Sequence, residues 1–188
     1  MDDSSKEAFQ GIELLREFVN THDLETGADA VGSPAELRLW LADHALMGAQ
    51  ESIGPADLAR GLELREALRA LLRANAGQDL DHAAVDTLVR MGRNARLGIS
   101  FDDGGRAELT PDPVGVEGAL SRLLASVFQA QADGSWPRLK ACALDTCQWA
   151  FWDASKNRSR AWCSMAVCGN RSKTRSYRNR HRTDGPPN

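Results

Sequence analysis

Apolar side chains recur every three or four positions along most of the first 132 residues, which is the period of an amphipathic α-helix. This pattern predicts five helices, at residues 8–21, 34–46, 55–76, 81–95 and 115–132. Ser33, Pro34 and Glu36 predict the start of the second helix, because they combine a capping box with a proline at the first helical position. Gly77 follows the third helix as a stop signal. The N-terminal part of the chain is therefore predicted to be multihelical.

The hydrophobic period changes from helical to alternating in the segment RLGISFDDGGRAELTP, which begins at Arg96. Apolar and polar residues alternate on both sides of the turn formers DDGG. Alternation around such a turn predicts one β-hairpin at residues 96–110. Asp102 and Asp103 are paired carboxylates, but beside two glycines they are better explained as turn residues than as catalytic acids.

The sign of the charge changes just after the helix-breaking segment ADGSWP. Residues 138–188 carry 11 Lys and Arg against 3 Asp and Glu, whereas the preceding part of the chain carries 12 against 23. The net charges are therefore +8 and −11, and the overall value of −3 conceals them. We place a domain boundary here, between a helical domain at 1–134 and a basic module at 135–182. The polar, Pro- and Gly-rich tail at 183–188 is expected to be disordered.

The N-terminus and the apolar runs indicate the compartment. MDDSSKEAFQ is acidic and lacks the apolar region of a signal peptide. No apolar run approaches the roughly 20 residues that cross a bilayer. We therefore expect a cytoplasmic protein with no membrane partner, whose cysteines stay reduced.

The four cysteines of the chain form two C-x4-C pairs separated by fifteen residues. Two closely spaced pairs can supply a closed tetrahedral shell of four thiolates, which makes Zn2+ the expected ion and its role structural. Two disulfides are disfavoured by a reducing compartment, and a redox pair would have C-x-x-C spacing. An iron–sulfur cluster also takes four cysteines, usually at other spacings. The predicted metal ligands are Cys142, Cys147, Cys163 and Cys168.

The run WCSMAVCGNRSK, from Trp162 to Lys173, resembles the signature of the CGNR zinc fingers. The preceding run CALDTCQWAFWDASKNRSR resembles the first half of that finger. FVNT, LRLWL and LREALRALL resemble parts of the ABATE domain that accompanies it. Proteins of this family are described as stress-induced transcription regulators, so the resemblance implies a finger that binds DNA. The expected fold is α+β, mainly α, with a multihelical N-terminal domain, one β-hairpin and a treble-clef-like four-cysteine zinc module.

Basic residues after the last cysteine recur at helical spacing. In a helix that begins near Ser164, four of the arginines form one continuous face, which matches phosphate oxygens along a groove. DNA is the expected partner, and RNA is the second nucleic acid that such a face fits. In the alternative, the basic module is a protein-interaction module that docks an acidic partner or its own acidic domain. The predicted nucleic-acid contacts are Arg171, Lys173, Arg175, Arg178, Arg180 and Arg182.

No catalytic motif is visible in the sequence. The four histidines lie in separate segments, and there is no nucleophile elbow, phosphate-binding glycine loop or H-E-x-x-H motif. We therefore expect no enzyme activity. The N-terminal domain is expected to sense a small-molecule effector or to form a homodimer. Asn20, Thr21 and His22 end an apolar helix and are candidates for ligand contacts, with capping of that helix as the alternative.

Overall fold

A computed structural model describes residues 3–48, 50–111 and 114–183 of the chain. Within these ranges, the side chains of residues 3–8, 176, 177 and 179–183 are not described. The structure contains six α-helices and two small antiparallel sheets, so the α+β class predicted from the sequence is confirmed. The tail from residue 184 onward, predicted to be disordered, lies outside the described residues. The elements are α1 Asp3–Val19, α2 Pro34–Asp43, α3 Pro55–Asn75, α4 His82–Asn94, β1 Leu97–Phe101, β2 Ala107–Pro111, α5 Gly115–Ala132, β3 Leu139–Ala141, β4 Ala150–Trp152 and α6 Asn170–Thr183, with a 3-10 turn at Trp136–Arg138 and a π-helical turn at Met165–Gly169.

The helix ends follow from local hydrogen bonding. Ser33 Oγ accepts a hydrogen bond from Glu36 N at 3.3 Å, which satisfies a free amide at the start of α2. The same helix ends three residues before the predicted position. Ala45 adopts a left-handed φ of 54°, and Leu46 N donates to the Leu41 carbonyl at 2.9 Å. This pair of features closes the carbonyl end of a helix, so the chain turns at Ala45 instead of continuing to Leu46.

The hydrophobic core lies between α1, α3 and α5, with α2 and α4 covering α3. Phe18 and Leu64 are fully buried in its centre. Helical spacing in the sequence predicts an apolar stripe on α3 that misses Leu64 and consists of Leu58, Leu62, Leu68, Leu71 and Leu72. Leu58, Leu62 and Leu71 only pack against the edge of the core.

The predicted hairpin is present, with β1 paired to β2 from Leu97↔Pro111 to Phe101↔Ala107. Asp102 Oδ1 accepts hydrogen bonds from Gly104 N and Arg106 N, both at 2.8 Å. The interpretation of Asp102 as a turn residue is therefore confirmed.

A second hairpin, which the sequence pattern does not predict, pairs β3 with β4. Its strands have three residues each, too few for an alternating pattern to stand out. Leu139 and Ala150 are fully buried and belong to the same hydrophobic cluster as the helices. The proposed boundary at residue 134 stays a prediction, and the two sides of it share one core. Within the described part of the chain, no helix has both the length and the apolar composition that crossing a bilayer requires.

Candidate metal centre and basic helix

Two short structural units bring the four cysteines together. Cys142 directly follows β3 and Cys147 lies shortly before β4, so the loop that joins the two strands holds the first pair. This loop turns through a hydrogen bond of 2.9 Å from Cys147 N to the Leu144 carbonyl. Cys163 precedes the π-helical turn and Cys168 lies inside it. A strand-connecting loop and a helix start therefore face each other across the site, as in the treble-clef-like module that the sequence predicts.

The distances between the sulfur atoms fit a single metal ion. The Sγ atoms of all four cysteines lie within 4.8 Å of one another. Cys163 Sγ is 3.7 Å from both Cys147 Sγ and Cys168 Sγ. A tetrahedral ion with metal–sulfur bonds of about 2.3 Å separates its sulfurs by about 3.8 Å. Disulfide sulfurs would instead be about 2.05 Å apart, and all four cysteines are free.

Electrostatics inside the cluster favour a bound cation. Burial, together with the neighbouring Cys142 thiolate, raises the pKa of Cys147 to about 11. Burial and the charges of both these neighbours raise the pKa of Cys163 well above the ordinary thiol value. Four thiolates therefore coexist at neutral pH only around a cation that offsets their charge.

The loop between β4 and Cys163 is organised by one buried ion pair. Lys140 Nζ donates to Asp153 Oδ2 at 2.8 Å, and neither side chain is more than 5% exposed. Asp153 also accepts hydrogen bonds from Ser155 N, Ser155 Oγ and Arg160 N, at 2.6 to 2.9 Å. Burial alone would raise the pKa of Asp153, but these donors hold that pKa well below its usual range. The carboxylate is therefore the ionised centre around which the loop closes.

Amide side chains of the helical domain bind the backbone of the cysteine module, which we define as residues 139–183. Asn20 Nδ2 donates to the Ala150 carbonyl at 2.9 Å, and Ala150 N donates back to Asn20 Oδ1 at 2.7 Å. Asn75 Nδ2 donates to the Leu139 carbonyl of β3 and to the Trp136 carbonyl in the 3-10 turn before it, both at 2.9 Å. These bonds satisfy the outer edges of β3 and β4, so the helical domain completes the small sheet.

Two arginines of α3 strengthen the same junction. Arg69 is almost fully buried and donates to the Val19 carbonyl at 2.7 Å and to the Gln148 carbonyl at 3.2 Å. It therefore joins the end of α1 to the loop that holds the first cysteine pair. One turn later, Arg73 donates to Asp145 in the same loop at 3.1 Å. The metal centre is thus supported directly by α3.

The residues of the CGNR motif have separate structural roles. Cys168 supplies the last sulfur. A Cβ at Gly169 would lie too close to Met165 Sδ, so a larger residue there would displace that flexible side chain. Asn170 Nδ2 donates to the Ala166 carbonyl at 3.0 Å, which satisfies a carbonyl of that turn. The motif therefore converts a metal-bound turn into the start of α6.

Arg171, the fourth residue of the motif, contacts the helical domain, which is the acidic part of the chain. Its Nη1 lies 2.6 Å from Glu25 Oε1, in the loop between α1 and α2. One turn later, Arg175 is 63% exposed and lies 4.0 Å from Asp145. Arg178 is also exposed on this face, as the helical spacing predicts. A shallow groove along the face is lined by Ala166, Val167, Asn170, Arg171, Thr174, Arg175 and Arg178.

The other predicted contact residues are placed as follows. Lys173 is exposed on α6. Arg180 and Arg182 lie on the helical backbone, but their side chains are outside the described residues. Contact with nucleic acid stays a prediction for the whole set.

The three candidates for effector contacts directly follow α1, which ends at Val19, two residues before the predicted end, and all three contact other parts of the chain. Besides the Asn20 contact with β4, Thr21 Oγ1 donates to the Phe18 carbonyl at 2.8 Å and accepts from Arg65 Nη1 at 3.2 Å. His22 Nδ1 lies 3.6 Å from Glu66 Oε1. A role of these residues in ligand binding stays a prediction. Contacts inside the chain already explain why Asn20 and Thr21 are polar, whereas His22 Nδ1 is buried without a hydrogen-bond partner among the described residues.

A helical domain that supports a four-cysteine metal site, followed by a basic helix, defines a protein of the zinc-finger class. Residues 138–181 match the model of the CGNR zinc finger. Residues 13–146 match the ABATE family, which is described as "Putative stress-induced transcription regulator". The chain belongs to this family, as the resemblance predicts. No curated protein matches the sequence. The two matched segments overlap across β3 and the first cysteine, where the structure also joins the two parts.

Proposed function

We propose that this protein is a DNA-binding transcription regulator in which α6 contacts the nucleic acid. The observation that supports this proposal most directly is the exposed arginine face that starts at the metal site. Arg171, Arg175 and Arg178 span about 10 Å along α6, at a rise of about 1.5 Å per residue. Guanidinium groups at this spacing fit phosphates along a groove, and their forks can also read guanine edges.

Zn2+ is the ion that we propose for the site. Four thiolates fill a tetrahedral shell, so the ion has no open position for water or substrate and its role is structural. An iron–sulfur cluster fits less well, because bridging sulfide ions would hold the cysteine sulfurs further apart than one ion does. Zinc with four thiolates carries a charge of about −2, so the net charge of +8 in residues 138–188 falls to about +6. We accordingly propose a binding protein rather than an enzyme, whose helical domain senses an effector or dimerises.

The first test is the salt dependence of DNA binding. Each phosphate contact that is lost should reduce the slope of log K against log salt by about one unit. Arg175→Ala and Arg178→Ala should therefore each flatten the slope by about that amount. Fluorescence anisotropy with a labelled duplex at several salt concentrations measures it. The full chain is used, because β3 and β4 belong to the core of the helical domain.

Arg90→Ala is the matched control, since Arg90 is an exposed arginine of α4 that is paired with Glu63. The slope for this variant should equal that of the wild type. The proposal is wrong if the full chain does not bind duplex DNA at low salt, or if all three variants have the same slope.

A second candidate function is that of a protein-interaction module whose basic helix docks onto acidic surfaces, including its own domain. The contact between Arg171 and Glu25 favours it, because it ties the first arginine of the face to the helical domain. Arg175 is also within 4.0 Å of a carboxylate, that of Asp145. In this arrangement the loop between α1 and α2, which carries Glu25, competes with phosphates for the arginine face.

The competition predicts that Glu25→Gln strengthens DNA binding by about two- to fivefold, the range expected for the release of one exposed ion pair. The matched control is Glu63→Gln, which makes the same change in net charge at the ion pair with Arg90. Anisotropy titrations of both variants at one salt concentration measure the effect. An equal gain in both variants would show a general effect of charge. Unchanged binding by Glu25→Gln would show that the loop does not compete.

A further inference from the structure

A cleft lies between the helical domain and the cysteine module, away from both the metal site and the arginine face. Its volume is about 790 Å3, within the range of about 300 to 1,000 Å3 that is typical of small-molecule sites. One wall comes from α1 and α5, and another from the start of β2. The cysteine module and the 3-10 turn before it provide the remainder. The residues that matter here are Phe9, Phe128, Trp152, Arg106, Arg138 and Arg158.

Aromatic side chains give the cleft an apolar surface. Phe9 is 49% exposed and Phe128 is 57% exposed. Phe9 packs edge-to-face on Trp152, with ring centroids 6.5 Å apart. Trp152 belongs to β4, whereas the two phenylalanines belong to α1 and α5. A flat apolar group bound between them would remove aromatic surface from water and touch both parts of the chain.

Charge at the rim of the cleft is positive. Among the described side chains, three arginines line it, against one acidic residue, Asp133. The Asp133 carboxylate accepts a hydrogen bond from Ser135 N at 2.8 Å, so it is engaged with its own turn. Arg138 Nη1 donates to the carbonyls of Asp153 and Ser155, at 2.9 and 3.0 Å. These bonds hold that guanidinium in place at the wall, which favours an anion over a cation in the cleft.

We propose that this cleft binds a small organic anion that combines one carboxylate with a flat apolar body. The apolar body packs on Phe9, Phe128 and Trp152, and the carboxylate faces the arginines. The proposal does not depend on DNA binding, because no residue of the arginine face lines the cleft. It also differs from the effector site that the sequence suggests at Asn20, Thr21 and His22, none of which lines the cleft.

The test uses 1-naphthoate as the probe and 1-naphthylmethanol as its neutral counterpart, with the full-length, metal-loaded protein. Tryptophan fluorescence and calorimetry measure binding. Naphthoate should bind at least tenfold more tightly than the neutral compound, because only the anion uses the arginines. Phe128→Ala should weaken naphthoate binding at least fivefold, and Arg158→Asn should do the same. Arg158 has a left-handed φ of 51°, which asparagine tolerates. The substitution also leaves the Arg158 carbonyl unchanged, so that carbonyl still accepts its hydrogen bond from Lys140 Nζ.

The matched controls are Leu39→Ala, an exposed apolar residue of α2, and Arg90→Gln, which removes one positive charge elsewhere. Both controls should bind naphthoate as the wild type does, and all variants should keep their metal content and melting temperature. The proposal is overturned if naphthoate does not bind at millimolar concentration, or if the neutral compound binds equally well. It is also overturned if the control substitutions weaken binding as much as those in the cleft.

Discussion

Replacement of Cys168 by serine is expected to abolish stoichiometric metal binding and to unfold α6, while the helical domain stays folded. Cys168 lies in the π-helical turn directly before α6 and is almost fully buried. Three thiolates and a hydroxyl are a much weaker ligand set for zinc than four thiolates. Burial and the neighbouring sulfurs raise the pKa of Cys147, so its thiolate form is disfavoured when the ion is absent. The two cysteine pairs then have no shared metal ion to hold them together.

The extent of unfolding follows from how each part of the cysteine module is attached. α6 has 14 residues, and isolated helices of about 12 to 15 residues are marginal in water. β3 and β4 are instead held by Asn20, Asn75 and the shared core. We therefore expect loss of order in residues 164–183, whereas the small sheet and the loop that closes around Asp153 stay ordered.

Elemental analysis and hydrogen exchange followed by mass spectrometry measure both effects. Amide protection should be lost in α6 and in the π-helical turn before it, and kept in α1, α3 and α5. The helical circular dichroism should fall by no more than the share of α6. Chelation of the metal from the wild type should give the same exchange pattern. Ser172→Ala is the control, because it changes a neighbouring hydroxyl and should leave one equivalent of metal. Retention of that equivalent by Cys168→Ser would contradict the assignment of this ligand.

The metal centre could be predicted from the sequence because its information is local. Four cysteines in two pairs restrict the possible chemistry whatever the rest of the fold does. The caps, prolines and glycines that delimit helices are equally local. The end of α2 lies three residues before its predicted position. The left-handed turn there is at Ala45, and alanine, unlike glycine or asparagine, is not a residue type that predicts a helix end.

The junction between the helical domain and the cysteine module could not be predicted in the same way. Arg65, Arg69 and Arg73 recur every four residues along α3, a spacing that is normally typical of a solvated face. Arg65 and Arg69 are nevertheless buried, because Asp29 and backbone carbonyls from distant segments satisfy them. Burial of a charged face depends on partners far away in the sequence, which periodicity does not contain.

Asn20 illustrates the same limit for function. At the end of an apolar helix its amide suggests either a cap or a ligand contact, whereas in the structure it pairs with both backbone groups of Ala150. The family motif contained a partial signal for a second buried polar group, the carboxylate of Asp153. Asp153 and Arg160 belong to the run that resembles the first half of the finger, although the run alone does not reveal Lys140 as the partner of Asp153.

Replacement of Asp153 by asparagine should destabilise the protein by about 3 kcal/mol, the cost typical of leaving one member of a buried ion pair without its partner. Lys140 Nζ would keep its contacts with the carbonyls of Arg158 and Arg160, but would lose the only negative charge that contacts it in the described residues. In a protein of this size, a loss of that magnitude lowers the melting temperature by about 10 °C. Thermal unfolding of the metal-loaded protein, followed by circular dichroism, measures the change. Glu63→Gln breaks an exposed ion pair and should shift the melting temperature by only a few degrees.

Two further measurements separate the ion pair from a general packing effect. The double variant with Lys140→Met should be more stable than the sum of the two single variants predicts, since no unpaired buried charge remains. The second measurement is pH dependence. The pKa of Asp153 is depressed in the folded state, so its contribution is complete above the unfolded value of about 3.9 and is lost as the pH falls below it. The stability difference between wild type and Asp153→Asn should therefore be constant from pH 6 to 8. A difference that changes with pH in this window, or strictly additive single variants, would show that the buried pair does not hold the loop.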